Sequence, residues 1–220
     1  MRQTAIIAIM LLTACATSGS STALPAKAEA APAAAAPAAA PSAGAVSVEF
    51  ASPEATKAGG VVTETKYSER AGDVEITKKE FAGGVVTLTG QVGMGKGSSY
   101  FGIGINFPIH ADGKPIDGRA YKTVTFQVAS TTARALRLRV SGADEKVRNS
   151  GCYPVYVQEV TKEVKAYTIP LSKFASESWC AANSKSVDST LTELYGFEVA
   201  DTTASKGPTV MSVGTITLNP

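Results

Sequence analysis

Histidine and tryptophan are nearly missing from this chain: each occurs once, as His110 and Trp179, in 220 residues. A single histidine leaves Ser–His or Cys–His chemistry with one possible base, in an Ala-Asp-Gly-Lys-Pro loop, and leaves a Cys/His zinc site short of ligands. There is no Gly-x-Ser-x-Gly elbow and no glycine-rich loop running into a helix to cradle phosphate. Gly93-Met94-Gly95-Lys96-Gly97 has the glycines, but it lies between strand-like runs and reads as a hairpin or loop. The Glu-x-Asp-x-x-Glu run that places acid and nucleophile on one strand face of jelly-roll glycosidases is also absent; Asp73 and Glu75 alternate, but beside a lysine-rich stretch they read as surface. Charge of one sign is scarce. Twenty-one Lys and Arg face nineteen Asp and Glu, net +2, with no long basic run to form the face that nucleic acid requires.

The N-terminus has a different character. Met1-Arg2-Gln3-Thr4 carries one positive charge, and residues 5–12 form an apolar run. A basic start and a short apolar core before small residues are the layout of an export signal, and a run this short cannot span a bilayer, which takes about 20 helical residues. Leu12-Thr13-Ala14-Cys15 resembles the lipobox of bacterial lipoproteins. That resemblance implies a diacylated Cys15 as first residue of the mature chain, and Ala16, where Asp would signal retention at the inner membrane, points to the outer membrane. The alternative is an ordinary signal peptide with a cysteine near its cut. Residues 1–14 are thus expected to be a signal, and 15–45 a lipidated cysteine followed by a tether. Apart from Leu24, Lys27 and Glu29 the tether is Ala, Pro, Ser, Thr and Gly, too few of the side chains a core needs. Residues 46–220 remain for one folded domain.

Assigning Cys15 to lipid leaves Cys152 and Cys180. In an oxidising compartment an even pair favours a disulfide; the alternative is two free thiols.

In the folded part, strand signals dominate. Val85–Val92 is rich in β-branched residues. From Tyr100 to Phe107, Phe101, Ile103, Ile105 and Phe107 alternate with Tyr100, Gly102, Gly104 and Asn106. Tyr121–Ser130 and Ala135–Ser141 repeat this, the second placing Leu136, Leu138 and Val140 against Arg137 and Arg139. In Tyr153–Val160, Tyr153, Val155 and Val157 oppose Tyr156 and Gln158. Val164–Leu171, Leu194–Ala200 and Met211–Leu218 complete the set, and Lys173–Ala182 has room for a helical turn. Period-two alternation separated by polar turns predicts an all-β, two-sheet antiparallel sandwich.

The order of several phrases resembles the galactose-binding-like jelly roll of many carbohydrate-binding modules, and of the complex I intermediate-associated family. Those phrases are Val48-Glu49-Phe50, Ser99–Ile105, Tyr121–Val128, Tyr167-Thr168-Ile169-Pro170-Leu171-Ser172-Lys173-Phe174, Leu194–Val199 and Val213–Leu218. The resemblance spans residues 48–218 and implies a sandwich that binds glycan. It departs at Ser212-Val213-Gly214, where an Asp-Asn pair is common in such domains. Glu49 is a candidate ligand for a structural calcium near the paired termini, but its other oxygen ligands cannot be counted from sequence, and no metal or cofactor is assigned.

Sugar binding calls for aromatic planes and planar polar groups. Arg137 and Arg139 share one outward side, and Tyr156 and Gln158 are expected on the outward side of the next strand. Tyr100 and Asn106 flank the space over Gly102 and Gly104. Trp179, beside Cys180, either stacks on a sugar or packs against the disulfide. The arginines and tyrosines are equally at home on a solvated sheet face. The expected function is a non-catalytic cell-envelope lipoprotein, attached to the membrane through its lipid, whose sandwich binds polysaccharide. Binding an envelope protein partner is the alternative, and a small hydrolase a third.

Overall fold

The computed structural model describes residues 44–93, 98–107, 114–132, 135–204 and 207–220. The expected signal, Cys15, the tether up to residue 43, residues 94–97 of the glycine loop and His110 lie outside the described residues.

The strands are β1 (Val46–Val48), β2 (Val62–Ser68), β3 (Val74–Ala82), β4 (Val85–Val92), β5 (Ser99–Asn106), β6 (Thr123–Ser130), β7 (Ala135–Gly142), β8 (Val155–Glu159), β9 (Lys165–Pro170), β10 (Leu194–Asp201) and β11 (Thr209–Asn219). They form two antiparallel sheets. One has the order β3-β4-β11-β6-β9, with β1 also paired to β11; the other has the order β2-β5-β10-β7-β8. The sandwich predicted from alternation is therefore the observed architecture.

The same side chains that alternate in the sequence meet between the sheets. Phe101, Ile103 and Ile105 of β5, Val124, Phe126 and Val128 of β6, and Leu136, Leu138 and Val140 of β7 are all buried in one core. Phe126 from one sheet and Phe197 from the other meet edge-on, with ring centroids 5.4 Å apart. A second small cluster of Val147, Cys152, Tyr153 and Cys180 lies apart from this core. It forms around helix α1 (Glu145–Ser150), which Asp144 caps by accepting a hydrogen bond from the Val147 amide at 3.2 Å. Gly151 ends that helix at φ 73°, a left-handed conformation that glycine adopts without a β-carbon clash. Where a helical turn was expected after Lys173 there are two 3₁₀ turns, Leu171–Lys173 and Ser178–Asn183, and a short helix α2 (Val187–Leu191) follows.

One face assignment is reversed. Tyr156 and Gln158 do not face outward. β8 pairs with β7 so that Tyr156 lies opposite Leu138 and Gln158 opposite Leu136, both core residues. Cross-strand partners share a face, so Tyr156 turns inward and packs on Phe174, with ring centroids 5.8 Å apart. Val157, opposite Arg137, takes the outward position and is 62% exposed.

Asp201 ends β10 on the inner side and is fully buried. Its carboxylate accepts hydrogen bonds from the Thr203 amide at 2.8 Å and the Thr209 hydroxyl at 3.0 Å, and Thr209 in turn contacts Thr132. Burial outweighs these bonds and raises its pKa above the ordinary aspartate value. The folded state therefore holds this proton more tightly than the unfolded chain. The resulting stabilisation is complete below the ordinary Asp pKa of about 3.9 and is lost as pH rises through the raised native value. Asp201→Asn cannot titrate. Wild-type stability minus variant stability, from urea midpoints between pH 3 and 7, should fall as pH rises; a constant difference would contradict this assignment.

Candidate functional site

The outward face of the five-stranded sheet is built from rows of paired residues. Thr65 of β2 lies opposite Gly102 of β5, Gly102 opposite Ala200 of β10, Ala200 opposite Arg137 of β7, and Arg137 opposite Val157 of β8. The next row runs Thr63, Gly104, Glu198, Arg139, Val155. Gly102, Gly104 and Ala200 keep the middle of the face low, so it forms a trough. A β-carbon on Gly104 would point at the side chains of Thr63 and Thr65, 3.0 and 3.2 Å away.

At one end of the trough Tyr67 and Tyr100, opposite each other on β2 and β5, stack with centroids 5.9 Å apart. The Arg137 guanidinium lies over the Tyr100 ring, 4.5 Å from its centroid. An open depression of about 350 Å³ continues from Tyr100 past Arg137 and Glu177 to Val157, with Ser99 and Thr202 on its other side.

The middle of the face carries a compact ionic group. Glu198 lies 3.1 Å from Arg139 and 3.5 Å from Arg137, and Glu177 lies 3.6 Å from Arg137. The two arginine side chains are only 6% and 11% exposed. Burying four charges is tolerated because they sum to zero and touch one another. Their hydrogen bonding is nonetheless incomplete. The described residues contain four buried side-chain polar atoms without a hydrogen-bond partner: Arg137 Nε, Arg139 Nε, Glu177 Oε2 and Thr65 Oγ1. All four belong to this face or to the segment that overhangs it.

That segment explains the burial. After β9 the chain returns along the free edge of β8, where Ala175 pairs with Val155, and from there reaches the outward face. Phe174 anchors it in the core, and a Cys152–Cys180 disulfide ties its far end to the end of α1, with the Cα atoms 5.4 Å apart. The predicted cysteine pairing is thus observed. The segment brings Glu177 to Arg137 and Trp179 to Gly151, which Arg139 also neighbours. A β-carbon on Gly151 would sit 3.5 Å from Arg139 Nη2 and 3.7 Å from Trp179 Cη2. Although Trp179 adjoins the disulfide, it is 61% exposed.

Of the residues singled out in the sequence, Tyr100, Arg137 and Arg139 share the outward face with Trp179 at its rim. Asn106 is on the same face at the other end, where it pairs with Gly196. Tyr156 and Gln158 leave the set, because their strand presents its other side. Tyr67, Glu177, Glu198 and Val157 join it. Glu198 carried a signal: it is the sole charged residue in the apolar run Leu194–Ala200. No sequence pattern marked Tyr67 or Glu177, which reach the site through pairing and chain reversal.

No protein-family profile matches the chain, and no curated protein matches it in sequence. Solved structures do match. CtCBM11, studied in solution for its dynamics and binding, is 16% identical with a TM-score of 0.52, covering 82% of this chain and 97% of its own. A family 11 carbohydrate-binding module from Clostridium thermocellum, in complex with a β-1,3-1,4-mixed-linked tetrasaccharide, is 12% identical with a TM-score of 0.51, over 81% of this chain and 97% of its own. At these identities the likeness establishes a shared jelly-roll fold.

Proposed function

We propose that this domain binds uncharged polysaccharide in the outward trough of its five-stranded sheet, without transforming it, and that a lipid on Cys15 holds it at the cell envelope. The observation that carries the reading is the open depression on one face, where a guanidinium and a carboxylate lie beside stacked tyrosines. Arg137 and Glu177 line the open depression, so one ligand group can accept from the guanidinium and donate to the carboxylate there. Sugar hydroxyls do both. The Tyr67–Tyr100 pair at one end and Trp179 at the rim add aromatic surface against which a sugar ring can lie. The fold shared with a module solved in complex with an oligosaccharide agrees with this reading.

A protein partner is the second reading. Val61, Tyr67, Val157 and Trp179 are exposed, and each belongs to this face or its rim. An apolar partner would cover them yet make no use of the guanidinium and carboxylate that line the depression, so the glycan reading accounts for more of the site.

Affinity electrophoresis against neutral polysaccharides tests the proposal. Tyr67→Ala and Tyr100→Ala should each weaken retention roughly ten- to thirtyfold, as loss of about 1.5–2 kcal/mol of buried aromatic contact implies. Gly104→Leu, which fills the floor of the trough, should abolish it. Retention of no neutral glycan would sink the reading, as would retention indifferent to all three changes. The envelope address is read from the mass of the mature N-terminal peptide; an unmodified Cys15 still joined to residues 1–14 would remove the anchor.

A further inference from the structure

We infer that Glu177 sets the charge selectivity of the trough, keeping it for uncharged glycans and turning acidic ones away. The inference rests on the glycan reading above and names the residue that chooses among glycans.

Arg137 and Arg139 supply two positive charges, Glu198 and Glu177 two negative ones, so the group offers no net attraction to an anion. The two carboxylates are not equivalent. Glu198 stands on β10, is buried, and is shared by both arginines. Removing it disturbs the sheet. Glu177 stands on the overhanging segment, approaches Arg137 alone at 3.6 Å, and is more open, at 29% side-chain exposure. It lines the depression, and its Oε2 accepts no hydrogen bond. A sugar carboxylate entering beside Arg137 would meet an attractive guanidinium and a repulsive carboxylate at similar range. The two effects nearly cancel, while the cost of taking the ligand's charge out of water stands. A hydroxyl there meets no such penalty, since it can donate to Glu177 and accept from Arg137. Without the Glu177 charge the group becomes net +1, with Arg137 open to an incoming anion.

Glu177→Gln in the full chain tests this. It keeps the shape and an acceptor oxygen but deletes the charge. The probes are polygalacturonate and alginate as acidic chains, and hydroxyethylcellulose, xylan and mannan as neutral ones. Glu159→Gln, at an exposed carboxylate on the outward side of β8, is the control for net surface charge. Glu177→Gln should gain at least about tenfold in affinity for an acidic chain in low salt, and the gain should vanish in high salt. Its thermal midpoint should stay well above that of Glu198→Ala, since Arg137 keeps Glu198. No gain, or an equal gain from Glu159→Gln, would overturn the role given to Glu177. The two proposals fail differently. If wild type retains no neutral glycan while Glu177→Gln still gains the acidic ones, the neutral-glycan reading falls and the charge filter stands. If wild type retains neutral glycan and Glu177→Gln gains nothing, the filter falls alone.

Discussion

Glu198→Ala should lower the folding free energy by about 3 kcal/mol, among the largest losses available to a single substitution in this domain. The reason is the asymmetry of buried charge. A complete ionic group contributes little net stability, but removing one member leaves its partners charged and away from water. Here Arg139 would lose the only carboxylate paired with it among the described residues, while its side chain is 6% exposed. Arg137 would keep only Glu177, which is more distant and more open. The urea midpoint at neutral pH measures the effect. The double variant Glu198→Ala/Arg139→Met should recover a large part of the loss, because an apolar side chain of similar length needs no counter-ion. A single-variant loss below about 1 kcal/mol would mean that both arginines escape to solvent, and that the face is softer than its burial implies.

The same arginines show how far the sequence could be read. Alternation identified β4, β5, β6, β7, β9, β10 and β11; all but β9 have neighbours on both sides and one face committed to the core. It passed over β2 and β3. Both are edge strands, where Lys, Glu and Thr take positions that a central strand would fill with apolar residues. β8 was found but placed with the wrong face inward. Val155 and Val157 are its aliphatic residues, so the pattern pointed them to the core. Their outward positions are tolerated because Val155 has Ala175 paired beside it on the same face and is buried, and Val157 lines the trough. Tyr156 can turn inward because its ring packs on Phe174.

The site was legible to the same partial degree, for the same reason. Tyr100, Arg137 and Arg139 share a face by simple parity along their own strands. Glu198 reaches them only through the pairing of β10 with β7, and Glu177 only through the return of the chain along β8. Parity orders residues within a strand. It says nothing about which strand lies next to which.

Cys180→Ser tests how that returning segment is held. The disulfide closes a loop of 28 residues, and the loss of chain entropy in the unfolded state alone is worth about 3.5 kcal/mol. For a domain of this size that lowers the melting temperature by about 10 °C. The effect on binding is more informative than the effect on stability. Phe174 in the core and the Ala175–Val155 pairing hold the start of the segment whether or not the bond is present. Beyond them, Cys180 is the buried attachment among the described side chains of the turn that carries Trp179, and its amide donates to the Glu177 carbonyl at 3.0 Å. Freed from Cys152, Glu177 and Trp179 should leave their places while Tyr67, Tyr100 and the glycine floor stay. The variant should therefore keep binding neutral glycan with an affinity lowered roughly tenfold, as loss of one aromatic contact implies, and should lose part of its discrimination against acidic chains. Wild type treated with a reductant should behave alike, which ties the effect to the bond rather than to the serine. If the variant loses stability but binds and discriminates as wild type does, then Phe174 and Ala175 alone position Glu177 and Trp179, and the disulfide serves the unfolded-state entropy only.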